Sequence, residues 1–260
     1  MLIYRYTMRT VLIVRYFFHW LTRTGCFGRH QAVLKVPGPK EKQGKSLRAG
    51  LYRHHVKQFH DSSCSVASVA SIINTLLEKR LGPGFTQVTQ QNLLDQVTAA
   101  HWKERMGPQG YKGRRGLPLN VLGRVVAASL DAYGIFNAEV EVIKAKRGAP
   151  AKEIQKRLGL VLEEFQVRDN CLVIAHFDQG SFIRELNIPH ISPVGQFDPQ
   201  TRRVTILDVD PAQTRPYTLS FHTFYKGIST CYGGVFSHFG YGRGGVVVVR
   251  LNHAPNLETL

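Results

Sequence analysis

Gln58 and Cys64, in the run QFHDSSCSVASVASIINTLL from 58 to 77, have the types and spacing of an oxyanion donor and a thiol nucleophile. Val66, Val69, Ala70, Ile73 and Leu77 recur at helical spacing, and Asp61, Ser62 and Ser63 are turn and cap types. A helix is therefore expected to begin at or next to Cys64. A thiol there feels the positive end of the helix dipole, which, with a nearby imidazolium, favours the reactive thiolate. The Gln58 amide and the Cys64 backbone N–H would then donate together to an oxyanion. A lone cysteine in a helix is more often a small buried apolar residue, so the assignment needs a base.

NIPHISPVGQFDPQTRRVTILDVDP, 187 to 211, supplies one. His190 opens a short strand, Asp198-Pro199-Gln200-Thr201 is turn chemistry, and Arg203 to Val209 is a β-branched strand carrying Asp208. In such a hairpin the open ends of the strands lie side by side, so His190 and Asp208 are expected to meet. A carboxylate on one ring nitrogen fixes the tautomer and steadies the imidazolium, leaving the other nitrogen to take the thiol proton. Asp210 shares a strand face with Asp208 and competes for the same role; the spacing to His190 favours Asp208.

These pieces carry a family resemblance. Gln58, Cys64 and the following CSVASVASIINTL helix, together with HISPVGQF leading to ILDV, resemble the phytochelatin synthase family, a branch of the papain-like cysteine peptidases. Weaker similarity covers Gly116 to Glu141 and Cys171 to Asp178, so the resemblance spans about 50 to 230. It implies that Cys64 is acylated, that His190 is general base and acid, that Asp208 orients it, and that Gln58 donates to the oxyanion. Family members release glycine from glutathione, form a γ-glutamylcysteinyl enzyme and pass that group to a second glutathione or to water. No tightly bound cofactor is implied; cadmium or zinc would act through metal–glutathione complexes. The chain lacks a cysteine-rich tail, and so resembles short, catalytic-domain-only members.

Three departures bear on substrate. Ser65 stands where the family has a glycine after the nucleophile, Asn187-Ile188-Pro189 replaces a glycine-rich approach to the histidine, and VDPAQTRPYTLSF lacks the family's Arg-Phe-Lys-Tyr-Pro run. Ser65 thus falls among the substrate-contacting positions. A dicarboxylate tripeptide calls for guanidinium partners, which here fall to Arg215 or to Arg184.

Composition agrees with a folded enzyme: 260 residues, 43% hydrophobic and 20% charged. The expected plan is a basic and apolar arm and linker over 1–49, then one catalytic domain over 50–260. Cys26, Cys64, Cys171 and Cys231 have no metal-ligand spacing. A buried thiol in the strand CLVIAHF and a catalytic thiol both favour a reducing compartment such as the cytoplasm. Net charge is +16, of which ten Lys and Arg against one acid place +9 in residues 1 to 50 and leave +7 for the rest. That balance suits anionic ligands, but no nucleic-acid motif accompanies it; GYGRGG at 240 to 245 lacks the Lys-Ser/Thr of a phosphate loop. Residues 10 to 22 are apolar apart from Arg15, His19 and Thr22, too interrupted to span a membrane. A targeting segment, an interfacial helix giving peripheral membrane contact, and an over-extended start all remain open. Residues 36 to 49 read as a linker.

Helices are expected over Gln87 to His101, Leu117 to Tyr133 and Lys152 to Phe165. Strands are expected over Glu139 to Ile143, Cys171 to Phe177, Val204 to Val209 and Val246 to Leu251. Helices early and strands late make an α+β, papain-like plan, with the nucleophile helix packed on a mostly antiparallel sheet. His54, His55 and His60 read as surface histidines without ligand spacing. Besides the glutathione reading, two functions stay open: a papain-like peptidase or amidase on other peptides, of leader-peptidase type, and a catalytically idle basic binding domain.

Overall fold

The cysteine run folds into α2, Cys64–Leu81, a helix buried on nearly every side rather than along one stripe: Cys64 through Leu77 are all buried. In this computed structural model the described residues are 44–183, 188–230 and 242–252, with isolated positions 7, 10, 14, 17, 34 and 35. Most of the arm, Cys26, Arg184, Asn187 and Cys231 therefore lie outside them. Full burial explains the composition of α2. Ser68, Ser71 and Thr75 hand their hydroxyls to the carbonyls of Cys64, Ala67 and Ser71, one turn back, at 2.8, 2.8 and 2.7 Å, so small polar side chains enter the core already satisfied. Val66, Val69, Ile72 and Ile73 are 0% exposed, each contributing about 1.5–3 kcal/mol of transfer free energy.

A seven-stranded sheet receives this helix. Its strands are β1 (Leu34–Lys35), β2 (Ala138–Lys144), β3 (Cys171–Asp178), β4 (Pro189–Asp198), β5 (Arg203–Ile206), β6 (Tyr217–Ser220) and β7 (Gly245–Leu251). They lie in the order β1-β6-β5-β4-β3-β7-β2, and every neighbouring pair is antiparallel. The expected α+β class and antiparallel sheet are both present. β4 and β5 form the expected hairpin, closed by Asp198, whose carboxylate accepts from the Gln200 and Thr201 amides at 2.9 and 3.3 Å. The second strand is shorter than expected: after Ile206 the ladder gives way, and Leu207 to Asp210 run on beside β4 through single contacts such as Leu207 N to Pro193 O at 2.9 Å.

The hairpin also carries a bulge. The β4–β5 register shifts between Val194 and Gln196, which leaves Gly195 unpaired. A Cβ there would stand 2.7 Å from Leu207 Cγ and 2.9 Å from the Tyr52 hydroxyl. Gly195→Ala is therefore expected to lower stability by roughly 1–3 kcal/mol, read as a fall in the urea midpoint, and to lower activity because Leu207 adjoins Asp208.

The remaining helices are α1 (Leu47–Arg53), α3 (Gln90–Gln96), α4 (Trp102–Met106), α5 (Leu119–Ala132), α6 (Ala151–Val167), α7 (Gly180–Ile183) and α8 (Phe221–Ile228). α1 starts inside the stretch expected to be a linker, where the Ser46 hydroxyl caps it by accepting from Ala49 N at 3.1 Å. The single helix expected over Gln87 to His101 is α3 followed by a 3₁₀ turn, Ala99–His101, that leads into α4. Ala100 and His101 take left-handed φ values of 57° and 54°, which an α-helix cannot continue through. β6, of four residues, and α8, of eight, are additions to the expected elements. Among the described residues no helix is long and apolar enough to cross a membrane.

Candidate active site

Two anchors set α2 against the sheet. The Ser68 hydroxyl lies 3.1 Å from the carbonyl of Ile191 as well as 2.8 Å from that of Cys64. One side chain thus joins the first turn of the helix to the residue after His190. At the N-terminus Ser63 is the N-cap by position but makes no side-chain cap; its hydroxyl turns back to donate to His60 O at 2.8 Å and accept from His60 N at 3.0 Å. The capping role expected of Ser63 is thus replaced by closure of the turn that precedes Cys64.

His190 is 5% exposed on β4. Its Nε2 lies 2.7 Å from Asp208 Oδ1, and Cys64 is close enough for its side chain to raise the basicity of the ring. Burial alone would lower the basicity of this imidazole, but Asp208 and Cys64 reverse that effect and raise it to about 10. Asp208 is 1% exposed. Burial would push its carboxyl up; His190, the Tyr217 hydroxyl and the Asp210 amide outweigh that and hold it at about 2. Four donors converge on it: His190, Tyr217 Oη on Oδ2 at 2.6 Å, Asp210 N on Oδ1 at 2.9 Å and Ser192 Oγ on Oδ1 at 3.4 Å. Tyr217 itself stays protonated, its acidity suppressed by burial and by Asp208.

The two carboxylates have different contacts. Asp210 accepts from Gln179 Nε2 at 2.7 Å and from Ala212 N at 2.9 Å, closing a turn and tying the end of β3 to the loop. His190 pairs with Asp208 instead. Gln58 is half-buried and pinned through its backbone, N to Val209 O at 2.9 Å; its Oε1 has no partner among the described residues.

A family model described as phytochelatin synthase matches residues 40–238. The chain belongs to the phytochelatin synthase family. Membership implies, in general terms, a glutathione γ-glutamylcysteinyltransferase. A comparison with curated proteins finds no significant match.

Within this phytochelatin synthase family chain, the expected substrate contacts fare differently. Ser65 is 1% exposed, and its hydroxyl accepts from Trp102 Nε1 at 3.0 Å and lies 3.8 Å from the Met106 sulfur. It is an anchor for α4, which corrects the substrate contact expected of it: the hydroxyl that replaces the family's glycine is spent in the core. Arg215 is exposed on the loop after Asp210 and has no hydrogen-bond partner among the described residues. Arg184 lies outside the described residues.

The surface reading of the histidine cluster is corrected for His54 and His55, while His60 stays partly exposed. His54 is 6% exposed, with Nε2 3.1 Å from Glu78 Oε2. His55 is half-buried, its Nε2 donating to Leu207 O at 3.0 Å, and burial with the neighbouring Lys57 lowers its basicity to about 4. Neither ring is a surface side chain: His54 packs between Glu78 and Phe85, and His55 against the residue before Asp208. No group of three or more His, Cys, Asp or Glu among the described residues is arranged to hold a metal ion. Ser192 and Tyr217 are the residues around Asp208 that the sequence analysis did not name. Ser192, two positions along the strand from His190, was within reach of the alternation rule; nothing local marks Tyr217.

Proposed function

We propose that the protein is a thiol acyl-enzyme peptidase and transpeptidase of papain-like type, acting on glutathione or a similar γ-glutamylcysteinyl peptide. The observation that carries this reading is the His190 ring, paired with the Asp208 carboxylate at 2.7 Å and close enough to Cys64 for that side chain to raise its basicity, in a chain of this family. His190 takes the thiol proton, and the Cys64 thiolate attacks the carbonyl carbon of the cysteinyl–glycine bond. The oxyanion accepts from the Cys64 N–H and the Gln58 amide. The C–N bond breaks as the His190 imidazolium returns its proton to the glycine amine, leaving γ-glutamylcysteine as a thioester on Cys64. Water, or the amine of a second glutathione, then attacks that thioester while His190 accepts its proton.

Arg215 supports the dicarboxylate substrate as an exposed guanidinium, and Arg184 is the other candidate from the sequence. Cadmium or zinc would enter as part of the acceptor, bridging glutathione thiols. Incubation with glutathione, with and without cadmium or zinc, and mass analysis of protein and products tests the reading. The expected result is free glycine and a γ-glutamylcysteinyl adduct on Cys64. Neither product from glutathione, with ready acylation by another peptide amide or thioester, would transfer the chain to the broader peptidase or leader-peptidase class. No acylation by any of them would leave the basic binding domain.

A further inference from the structure

The stretch from His55 to Gln58 runs alongside Leu207 to Gln213, and successive contacts stitch the two together. His55 Nε2 meets Leu207 O at 3.0 Å, and Gln58 N donates to Val209 O at 2.9 Å. Between them the Lys57 ammonium donates to Asp208 O at 2.5 Å and to Gln213 O at 2.6 Å. The backbone of Lys57 is fixed in turn, its carbonyl accepting from Gln90 Nε2 at 2.8 Å. We propose that Lys57 is a positioning residue, whose ammonium sets the loop carrying Asp208 in register with the segment carrying Gln58. The proposal rests on the catalytic reading of Cys64, His190 and Asp208 given above.

A lysine head ordinarily stays in water, its stem alone lying on the protein. Here the head is half-buried and two of its three N–H groups are used on main-chain carbonyls, one of them that of Asp208 itself. Burial lowers its basicity, and the carboxylates of Asp208 and Asp210, its charged neighbours, oppose that loss. Carbonyls on a loop have many ways to be satisfied by solvent, so two converging on one cation fix that loop's position. The Asp208 side chain leaves the same residue to reach His190 at 2.7 Å. A shift of the loop therefore lengthens the bond that steadies the imidazolium. Since Gln58 follows Lys57 directly, the oxyanion donor moves with the same displacement.

The test compares Lys57→Met and Lys57→Arg with the wild type in glycine release from glutathione, and in the pH profile of Cys64 alkylation by iodoacetamide. Lys57→Met is expected to lower kcat roughly 10²-fold, the scale of an ångström-sized misplacement, with KM little changed, and to move the alkylation profile toward alkaline pH. Lys57→Arg, which keeps the cation and several donors, is expected to recover most of both. Lys57→Gln takes the place of the methionine variant if that one fails to fold, with the same expected direction. A neutral variant that folds, keeps the wild-type alkylation profile and loses less than about threefold in kcat overturns the proposal; 10²-fold is the scale to compare. So does an arginine variant no better than methionine. Alkylation needs no glutathione, so that arm still judges Lys57 if the glutathione reading itself fails.

Discussion

Cys64→Ala is expected to lower glycine release from glutathione by a factor on the order of 10⁶, the scale of removing a nucleophile from a working triad, while Cys171→Ala leaves it largely intact. Position separates the two thiols. Cys64 is the first residue of α2, beside the His190 ring whose basicity it raises. Cys171 is 1% exposed at the start of β3, and burial, with Glu164 nearby, pushes its thiol up to about 12, so that it stays protonated and unreactive. Limiting iodoacetamide should therefore label Cys64 first, with inactivation following the label mole for mole. Inactivation by a label on Cys171, with Cys64 unmodified, would remove Cys64 from the mechanism. The contrast also tests whether the fold survives, since Cys64→Ala changes one small side chain at a helix start and should leave the unfolding midpoint nearly unchanged.

How much of this site could be read in advance depends on how local each signal is. The start of α2 and the β4–β5 hairpin were legible because caps, β-branched runs and turn residues act over a few positions, and they carried Cys64, His190 and Asp208. The choice between Asp208 and Asp210 was not settled by alternation, which puts both on one face. The two differ in their contacts: His190 reaches Asp208, whereas Gln179 at the end of β3 occupies Asp210. Tyr217 reaches Asp208 only because β6 returns beside β5, a pairing that four residues of YTLS do not announce. Ser65 was misread for the same reason in reverse: its neighbour Trp102 lies 37 residues away in sequence and arrives through a kink at Ala100 and His101. Burial likewise decided the histidines, because the Glu78 and Leu207 partners of His54 and His55 belong to distant segments.

Asp208→Asn is expected to slow glycine release by roughly 10²- to 10⁴-fold, the range of a positioned acid–base group, with the fold retained, whereas Asp210→Asn stays close to the wild type. Three donors, from His190, Asp210 N and Ser192, converge on Oδ1, so the amide oxygen of an asparagine would take that place. Its NH₂ would then face the Tyr217 hydroxyl, which can turn to accept. The geometry survives; the negative charge does not. His190 is held up at about 10 chiefly against its own burial by that charge, so the variant's imidazolium loses its proton at lower pH and the alkaline limb of the activity profile moves down. Stability follows with a definite sign. The folded His190 lies above its ordinary 6.5, so its contribution is complete below about pH 6.5 and is lost as pH rises through about 10. The folded Asp208, at about 2, lies below its ordinary 3.8, so its contribution is complete above about pH 3.8 and is lost as pH falls through about 2. Wild type and Asp208→Asn should therefore differ most in urea midpoint between about pH 4 and pH 6.5, and the gap should narrow as pH approaches 10. A gap that widens toward alkaline pH, or an Asp210→Asn variant more damaged than Asp208→Asn, would mean that His190 draws its charge from another carboxylate.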